Sequence, residues 1–216
     1  MKPISLLIFD LDGTLVNTLE DIAASVNHTL GRLGKSPLPL ETVRCYVGDG
    51  LANLLLRTLD GQAELVPEAV KIYTEHHRTH LVDRSCLYPS VRETLEHFKA
   101  LPLAVVTNKT REFSILLLER LGIGQYFKQI IGAGSGLPLK PAPDALFAIM
   151  KETGATNDRT VMVGDSSADV RAGRAAGVIT CAVTYGFRSA EELRGSGPDH
   201  LIPAFSYLTN LFAPEK

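Results

Sequence analysis

The chain has 216 residues, of which 45 % are apolar, and its 22 basic and 24 acidic residues give a net charge of -2. This length and apolar content predict a packed core, which excludes an intrinsically disordered chain and suits one large domain or one domain with an insertion. The balanced charge gives no reason to expect a nucleic acid or an anionic membrane as partner, so we expect a small-molecule ligand.

The three cysteines, Cys45, Cys86 and Cys181, show no Cys-x-x-Cys spacing. The first residues lead within a few positions into strand-like sequence and leave no room for a signal peptide. No apolar run reaches the roughly 18 residues of a membrane helix. We therefore expect a protein of the reducing cytoplasm with no membrane partner.

Short apolar runs alternate with helical segments along the chain, which is the pattern of a parallel sheet covered by helices. The predicted strands are residues 4–9, 103–107, 129–132, 160–163 and 179–183, with a further short strand at 200–202. The predicted helices between them are residues 110–121, 144–153 and 169–176, each followed by a glycine. This alternation predicts an α/β fold with a Rossmann-like parallel sheet.

Residues 16–84 interrupt this alternation with helical periodicity alone, over 19–33, 40–47, 51–59 and 66–81. Such a stretch is too long for a single crossover connection. We therefore predict an α/β core formed by residues 1–15 and 85–216, and an all-helical cap formed by residues 16–84. Because the insertion begins just after the first strand, we expect it to act as a lid over the end of that strand.

The first strand ends at two aspartates, Asp10 and Asp12, which are followed by Gly13. Side chains two residues apart point the same way in an extended strand, so the two carboxylates can converge. Converging carboxylates need a counter-ion, and Mg²⁺ prefers such oxygens and commonly brings a phosphate with it. Gly13 allows a turn that brings backbone N–H groups close to an anion. Taken alone, these residues fit either a metal site or a solvated polar strand end.

Polar residues also follow the later strands, whose carboxyl ends form the ligand-binding edge of an open parallel sheet. Thr107 and Asn108 end the second strand, Lys140 lies between prolines before a helix, and Asp165 and Asp169 follow the fourth strand. Each has a structural alternative, namely an ordinary turn, an exposed loop lysine or, for Asp169, a helix N-cap. Their order along consecutive strand ends favours phosphate chemistry over these alternatives.

Four motifs in this order resemble those of the haloacid dehalogenase superfamily of phosphohydrolases, over essentially the whole chain. The matching residues are Asp10-Leu11-Asp12-Gly13-Thr14, Thr107, Lys140 and Gly164-Asp165-x-x-x-Asp169. Within the superfamily the chain is most similar to bacterial phosphoglycolate phosphatases, in residues 9–16, 47–50, 88–91, 104–109 and 184–186. The resemblance implies hydrolysis of a small phosphomonoester, with 2-phosphoglycolate as the first candidate.

The resemblance also implies a two-step phosphoryl transfer. Asp10 would attack the phosphorus and form an aspartyl-phosphate that water later hydrolyses. Asp12 would first protonate the leaving alkoxide and then activate the water. Mg²⁺ would be held by a carboxylate oxygen of Asp10, the main-chain carbonyl of Asp12 and the side chain of Asp165, because an anionic nucleophile must approach an anionic phosphate.

The same resemblance assigns the remaining motif residues to the phosphate. Thr107, the backbone N–H of Asn108 and Lys140 would neutralise the transferring oxygens, and the Gly13 turn would also bind the substrate. Asp169 would support the site by orienting Lys140 or a metal-bound water.

Several other functions stay open at this stage. A phosphosugar mutase of the β-phosphoglucomutase type usually has Glu-Asp-Ser followed by a glycine in its fourth motif, where this chain has Gly164-Asp165-Ser166 and Asp169. A pyrophosphatase or nucleotidase of the same superfamily would share all four motifs. A non-enzymatic phospho-receiver module also gathers aspartates, a threonine and a lysine at a sheet edge, but has about half this length and no helical insertion.

Substrate choice is expected to lie in the helical insertion. The turn at residues 48–50 joins two helices and can project toward the site, while Arg44 and Arg57 either meet a substrate carboxylate or are solvated helix residues. Three histidines share one helix, and we interpret them as surface residues; they are His76, His77 and His80. A monomer and a homodimer are both open.

Overall fold

The computed structural model describes residues 1–215. Its helices are α1 (Leu19–Arg32), α2 (Leu40–Tyr46), α3 (Leu51–Thr58), α4 (Val66–Thr79), α5 (Val91–Phe98), α6 (Arg111–Arg120), α7 (Asp144–Thr153), α8 (Ser167–Ala176), α9 (Ala190–Ser196) and α10 (Leu208–Leu211). Its strands are β1 (Lys2–Ile4), β2 (Leu6–Phe9), β3 (Val16–Asn17), β4 (Cys86–Leu87), β5 (Leu103–Thr110), β6 (Gln129–Ala133), β7 (Thr160–Gly164), β8 (Ile179–Val183), β9 (His200–Ile202) and β10 (Phe212–Pro214). Over residues 1–215, no helix is both long and apolar enough to cross a membrane.

Six parallel strands form the central sheet in the spatial order β6-β5-β2-β7-β8-β9. Numbered by their order in the chain, these strands read 3-2-1-4-5-6, which is the order of a doubly wound Rossmann-type sheet. The prediction of an α/β fold with a Rossmann-like parallel sheet is confirmed. In such a sheet the chain reverses its winding direction beside the first strand, so the carboxyl end of β2 lies at the expected ligand crevice.

The apolar side chains of β2 pack on both faces of the sheet. Leu7 and Phe9 belong to the hydrophobic cluster on one face, and Leu6 and Ile8 belong to the cluster on the other. All four side chains are fully buried. A parallel strand covered by helices on both sides reads as a continuous apolar run for this reason, and the run ends where the chain reaches Asp10.

The structure differs from the predicted strands in three places. The first predicted strand is interrupted at Ser5, and the preceding β1 pairs with β10 at the end of the chain. The second strand, β5, continues past Thr107 to Thr110, with an irregularity in its pairing to β6. The antiparallel pair β3 and β4 joins the two ends of the helical insertion, and each strand is only two residues long. Strands this short carry no period that the sequence could reveal.

Helices α1 to α4 pack around a hydrophobic cluster of their own, which includes Val26, Val43, Leu55 and Tyr73. One buried member, Phe187, comes from the loop after β8. The all-helical character of the insertion is therefore observed. The boundaries of the cap at residues 16 and 84 stay a prediction.

A buried carboxylate joins the first helix of the insertion to the segment where the insertion ends. Asp21 accepts hydrogen bonds from the backbone N–H groups of Arg84 and Ser85, and from the Ser85 hydroxyl at 2.6 Å. We expect Asp21→Ala to lower the free energy of unfolding by about 3 kcal/mol, because it leaves buried donors unpaired. The exposed neighbour Glu20 is the matched control, and Glu20→Ala should change stability by less than about 0.5 kcal/mol in urea unfolding. Equal effects of the two substitutions would contradict this role of Asp21.

Candidate active site

Asp10 lies directly after β2, where its backbone N–H donates to the carbonyl of Val163 on the neighbouring strand at 2.8 Å. Its Oδ1 accepts from the backbone N–H of Leu11 at 2.7 Å and lies 2.8 Å from Lys140 Nζ. Its Oδ2 has no hydrogen-bond partner within residues 1–215. One oxygen of the carboxylate is thus fixed while the other is available for chemistry.

Two further aspartates follow β7. Asp165 accepts from the backbone N–H of Phe187 at 2.7 Å and from the Thr14 hydroxyl at 3.2 Å. The N-cap of α8 is Ser166 and not Asp169, so the N-cap alternative for Asp169 is wrong, but Asp169 at the third helical position completes a capping box with Ser166. Asp169 is also part of the site, because its other oxygen contacts a buried lysine.

Oxygens of Asp10, Asp165 and Asp169 lie within 4.8 Å of one another. Burial and then the charge of Asp169 raise the pKa of Asp10 to about 7, although Lys140 opposes this rise. Burial and the charges of the other two aspartates raise the pKa of Asp165 to about 8. A bound divalent cation would offset this repulsion, and carboxylate oxygens suit a hard cation. The residues present therefore fit a divalent metal ion.

Gly13 lies against this cluster with a φ of +85°, a conformation that favours glycine. A Cβ atom at this position would lie 2.2 Å from Oδ2 of Asp165. Any side chain here would therefore displace the carboxylate. The role of Gly13 in binding substrate stays a prediction.

Lys140 is enclosed by the site, and its side chain is only 2 % exposed. Its Nζ lies 2.8 Å from Asp10 Oδ1 and 2.6 Å from Asp169 Oδ1, and donates to the carbonyl of Val106 at 2.7 Å. The alternative of an exposed loop lysine is therefore wrong. The three protons of the ammonium match three oxygen acceptors, which fixes the position of the charge.

Thr107 and Asn108 are buried in β5. The Asn108 side chain accepts from the backbone N–H of Lys140 at 2.9 Å and donates to the carbonyls of Lys140 and Gly48, at 3.0 and 2.9 Å. Asn108 therefore ties the loop that carries Lys140 to the helical insertion. The contacts of Thr107 and of the Asn108 N–H with a phosphate stay predictions.

Asp12 faces the insertion. Its Oδ1 accepts from the hydroxyl of Thr18, at the start of α1, at 2.8 Å. Both its carboxylate oxygens lie 3.3 Å from the Nζ of Lys109. Lys109 was not among the predicted site residues, although it lies two positions after Thr107 on the same strand and should share its face.

A cavity of about 60 Å³ lies between the sheet edge and the helical insertion. The sheet edge contributes mainly polar groups, among them Asp10, Asp12, Thr107, Asn108, Lys109 and Asp165. The insertion contributes mainly apolar and aromatic groups, among them Ile22, Val47, Leu51, Leu54 and Tyr73. The cavity therefore combines a polar floor at the sheet edge with a mainly apolar wall from the insertion.

The prediction that His76, His77 and His80 lie on the surface is wrong for His77. His77 is 1 % exposed and lines the cavity. Its Nδ1 lies 2.9 Å from the Ser25 hydroxyl and its Nε2 lies 3.5 Å from Lys109 Nζ. Burial, and then the charge of Lys109, lower its pKa to about 2, so the ring is neutral. His76 is half-buried and stacks on the exposed His80.

The two arginines suggested for a substrate carboxylate lie outside this cavity. Arg57 forms an ion pair with Asp49 on the surface, and Arg44 pairs with Glu41 on its own helix. The arginine that does line the cavity is Arg188, from the loop after β8. Its guanidinium donates to main-chain carbonyls at the end of α2, so it holds the insertion against the sheet.

A comparison with known families agrees with this geometry. Residues 7–183 match the model of the haloacid dehalogenase-like hydrolases. The chain belongs to this family.

Named relatives extend this assignment. The chain is 36 % identical over 207 residues to a phosphoglycolate phosphatase of Pseudomonas fluorescens (strain Pf0-1), covering 91 % of this chain and 75 % of that one. It is 34 % identical over 219 residues to a phosphoglycolate phosphatase of Chromobacterium violaceum, covering 98 % and 97 %. A crystal structure from Haemophilus somnus 129pt, described as a predicted phosphoglycolate phosphatase, has a TM-score of 0.92 at 32 % identity and covers 98 % of this chain and 99 % of that one.

This haloacid dehalogenase-like hydrolase is a phosphatase, and it resembles phosphoglycolate phosphatases. The structure brings the predicted motif residues to one edge of the sheet, in and around one acidic cluster. The individual roles of these residues stay predictions. Sequence reasoning did not assign Lys109, His77 or Phe187 to the site, because their contacts connect parts of the chain that are far apart in sequence.

Proposed function

We propose that this phosphatase hydrolyses 2-phosphoglycolate to glycolate and phosphate, with Mg²⁺ and an aspartyl-phosphate intermediate. The observation that carries the proposal is the carboxylate of Asp10, which has one oxygen fixed by Leu11 and Lys140 and the other without a hydrogen-bond partner within residues 1–215. A nucleophile held in this way needs little reorganisation to attack. The names of the relatives support the choice of substrate.

In the first step the Asp10 oxygen forms a bond to phosphorus as the bond to the ester oxygen breaks. Asp12 gives its proton to that oxygen, so glycolate leaves as an alcohol. In the second step Asp12 takes a proton from water, and the water oxygen displaces Asp10 from phosphorus. The ammonium of Lys109 lies 3.3 Å from both carboxylate oxygens of Asp12 and so helps to orient this group for the transfer.

The metal would be held by the carboxylates of Asp10 and Asp165 and by the main-chain carbonyl of Asp12. When bound, it would neutralise negative charge shared between the nucleophile and the phosphate. Lys140 adds a fixed positive charge to the same region, and Asp169 holds Lys140 in place. Thr107, the N–H of Asn108 and the Gly13 turn would bind the remaining phosphate oxygens.

We also propose that residues 16–84 are the cap over this site. Phe187 packs into the hydrophobic cluster of the insertion, and Arg188 and Asn108 donate to its carbonyls. These contacts hold the insertion over the sheet edge that carries Asp10. A mainly apolar wall over the site limits the water around the reacting phosphate and favours a short leaving group.

A panel of phosphate compounds tests the substrate. With Mg²⁺ we expect 2-phosphoglycolate to have the highest kcat/KM, ahead of β-glucose 1-phosphate, pyrophosphate and a nucleoside monophosphate. We expect EDTA to reduce phosphate release to the background rate, and added Mg²⁺ to restore it. A different best substrate would overturn the assignment of 2-phosphoglycolate, and isomerisation of β-glucose 1-phosphate without phosphate release would indicate a mutase.

A further inference from the structure

One buried cation that lines the cavity, Lys109, is not among the residues that we propose to bind the phosphate. The side chain of Lys109 is 6 % exposed, and its Nζ lies 3.3 Å from both oxygens of Asp12 and 3.5 Å from Nε2 of His77. An ammonium has three N–H donors, and its three acceptor atoms here all lie 3.3 to 3.5 Å away, against 2.6 to 2.8 Å for the three oxygens around Lys140 Nζ. Because these contacts are long and Lys109 lines the cavity, its ammonium is available to a negatively charged group that binds there.

The position of Lys109 is set from the side of the insertion. Because an ammonium can only donate, Nε2 of His77 must act as the acceptor, and the ring proton is then on Nδ1. That N–H donates to the hydroxyl of Ser25, which is fully buried on α1. His77 also packs between the rings of Tyr73 and Phe113, which restricts its rotation. The neutral histidine thus holds the ammonium beside Asp12.

The other cations near the cavity are already engaged. Lys140 is enclosed by Asp10, Asp169 and a main-chain carbonyl. The Arg188 guanidinium donates to carbonyls of the insertion. A negative group that enters the cavity beyond the phosphate therefore finds its counter-charge at Lys109, since much of the surrounding wall is apolar.

We propose that Lys109 determines substrate specificity by binding a carboxylate on the leaving group, and that His77 is a positioning residue that acts through Lys109. This inference rests on the proposed function for the reaction. In a 2-phosphoglycolate molecule one carbon separates the ester oxygen from the carboxylate. Because Asp12 protonates that ester oxygen and Lys109 contacts Asp12, the ammonium lies within reach of the carboxylate. A leaving group of the same size without charge forms no ion pair with this buried ammonium, so it binds with less free energy than one that carries a carboxylate.

The first test compares 2-phosphoglycolate with ethyl phosphate, which has the same chain length but no carboxylate. We expect Lys109→Met to reduce kcat/KM for 2-phosphoglycolate roughly 100-fold more than for ethyl phosphate, because it removes a buried charged partner. The exposed Lys151 gives the matched control, and Lys151→Met should leave both rates unchanged. An equal loss for both substrates would show that Lys109 acts only on Asp12, and would overturn the inference.

The second test measures binding without turnover. In an Asp10→Asn background with Mg²⁺, calorimetry should show a preference for 2-phosphoglycolate over ethyl phosphate that Lys109→Met removes. Binding that does not distinguish the two compounds overturns the inference, whatever the rates. If the wild-type protein hydrolyses neither compound while Asp10→Asn still shows this binding preference, the proposed function is wrong. The inference that Lys109 binds a carboxylate is then still supported.

A third variant tests whether His77 positions Lys109. It also provides a test of the inference if Lys109→Met does not fold. His77→Phe keeps the ring volume and the charge of Lys109 but removes the acceptor. We expect KM for 2-phosphoglycolate to rise roughly tenfold with little change in kcat, and the constants for ethyl phosphate to stay within about threefold. His77→Gln, which restores an acceptor, should recover much of the loss. Equal effects of His77→Phe on both substrates would overturn the role of His77.

Discussion

Replacing Asp10 with asparagine is expected to lower kcat roughly ten-thousand-fold or more, because the variant lacks the oxygen nucleophile that forms the covalent intermediate. The amide oxygen of asparagine can still accept from the N–H of Leu11, so the loop keeps its conformation. Phosphate release from 2-phosphoglycolate with saturating Mg²⁺ measures the effect. Residual turnover above about one-hundredth of the wild-type rate would contradict the assignment of Asp10 as nucleophile.

The same substitution should not destabilise the metal-free protein at pH 8. Burial and the charge of Asp169 raise the pKa of Asp10 from 3.8 to about 7 in the folded state. The unfolded chain releases this proton at lower pH, so ionisation of Asp10 reduces the free energy of unfolding as pH rises between those two values. Asparagine does not ionise and avoids this loss. With EDTA, we expect the variant to melt at or above the wild-type temperature.

The matched control for this experiment is Asp158→Asn, at an exposed aspartate. We expect this control to keep the wild-type kcat and melting temperature. A large loss of stability in Asp10→Asn, with none in the control, would mean that the missing activity reflects a disturbed fold.

Much of the candidate site could be predicted because one topological rule gathers residues that are far apart in sequence. Asp10, Thr107 and Asp165 are separated by more than fifty residues from one another, yet each lies at or near the end of a parallel strand. The carboxyl ends of such strands share one edge of the sheet. Because β2 lies between β5 and β7 in the sheet, the residues at the ends of these three strands are neighbours.

The contacts on the side of the insertion could not be predicted in the same way. A helix shows which residues share a face, but not which neighbour that face meets. Ala69, Tyr73 and His77 are the buried residues of α4 and follow one another at intervals of four, so this spacing was the available signal for the burial of His77. Its proximity to Lys109 depends on how the insertion sits on the sheet, which no local pattern encodes.

The loop after β8 shows a second contact of this kind. The backbone N–H of Phe187 holds Asp165, while the Phe187 side chain packs into the hydrophobic cluster of the insertion. The next residue, Arg188, donates to the end of α2. Two consecutive residues therefore connect the acidic cluster to the wall of the cavity, so the position of that wall and the geometry of Asp165 depend on each other.

Replacing Lys140 with methionine is expected to reduce both stability and activity. Burial alone would lower the pKa of Lys140, but the charges of Asp10 and Asp169 outweigh burial and raise it above its ordinary value. The stabilisation from this charged lysine is therefore fully present at neutral pH and is lost only above the ordinary lysine pKa. Removing one partner of a buried ion pair costs about 3–5 kcal/mol, which is the fall that we expect in urea unfolding at pH 7.

The activity should fall roughly a thousandfold, because the fixed charge beside the attacking oxygen is lost. The exposed Lys128 provides the control, and Lys128→Met should change neither property. The cause of the instability can be tested with the double variant Lys140→Met/Asp169→Asn. It removes one of the two unpaired carboxylates, while the amide oxygen can still cap α8. If unpaired charge causes the instability, the double variant is more stable than Lys140→Met and equally inactive. If lost packing is the cause, the second substitution restores nothing, and the role of Lys140 as counter-charge is wrong.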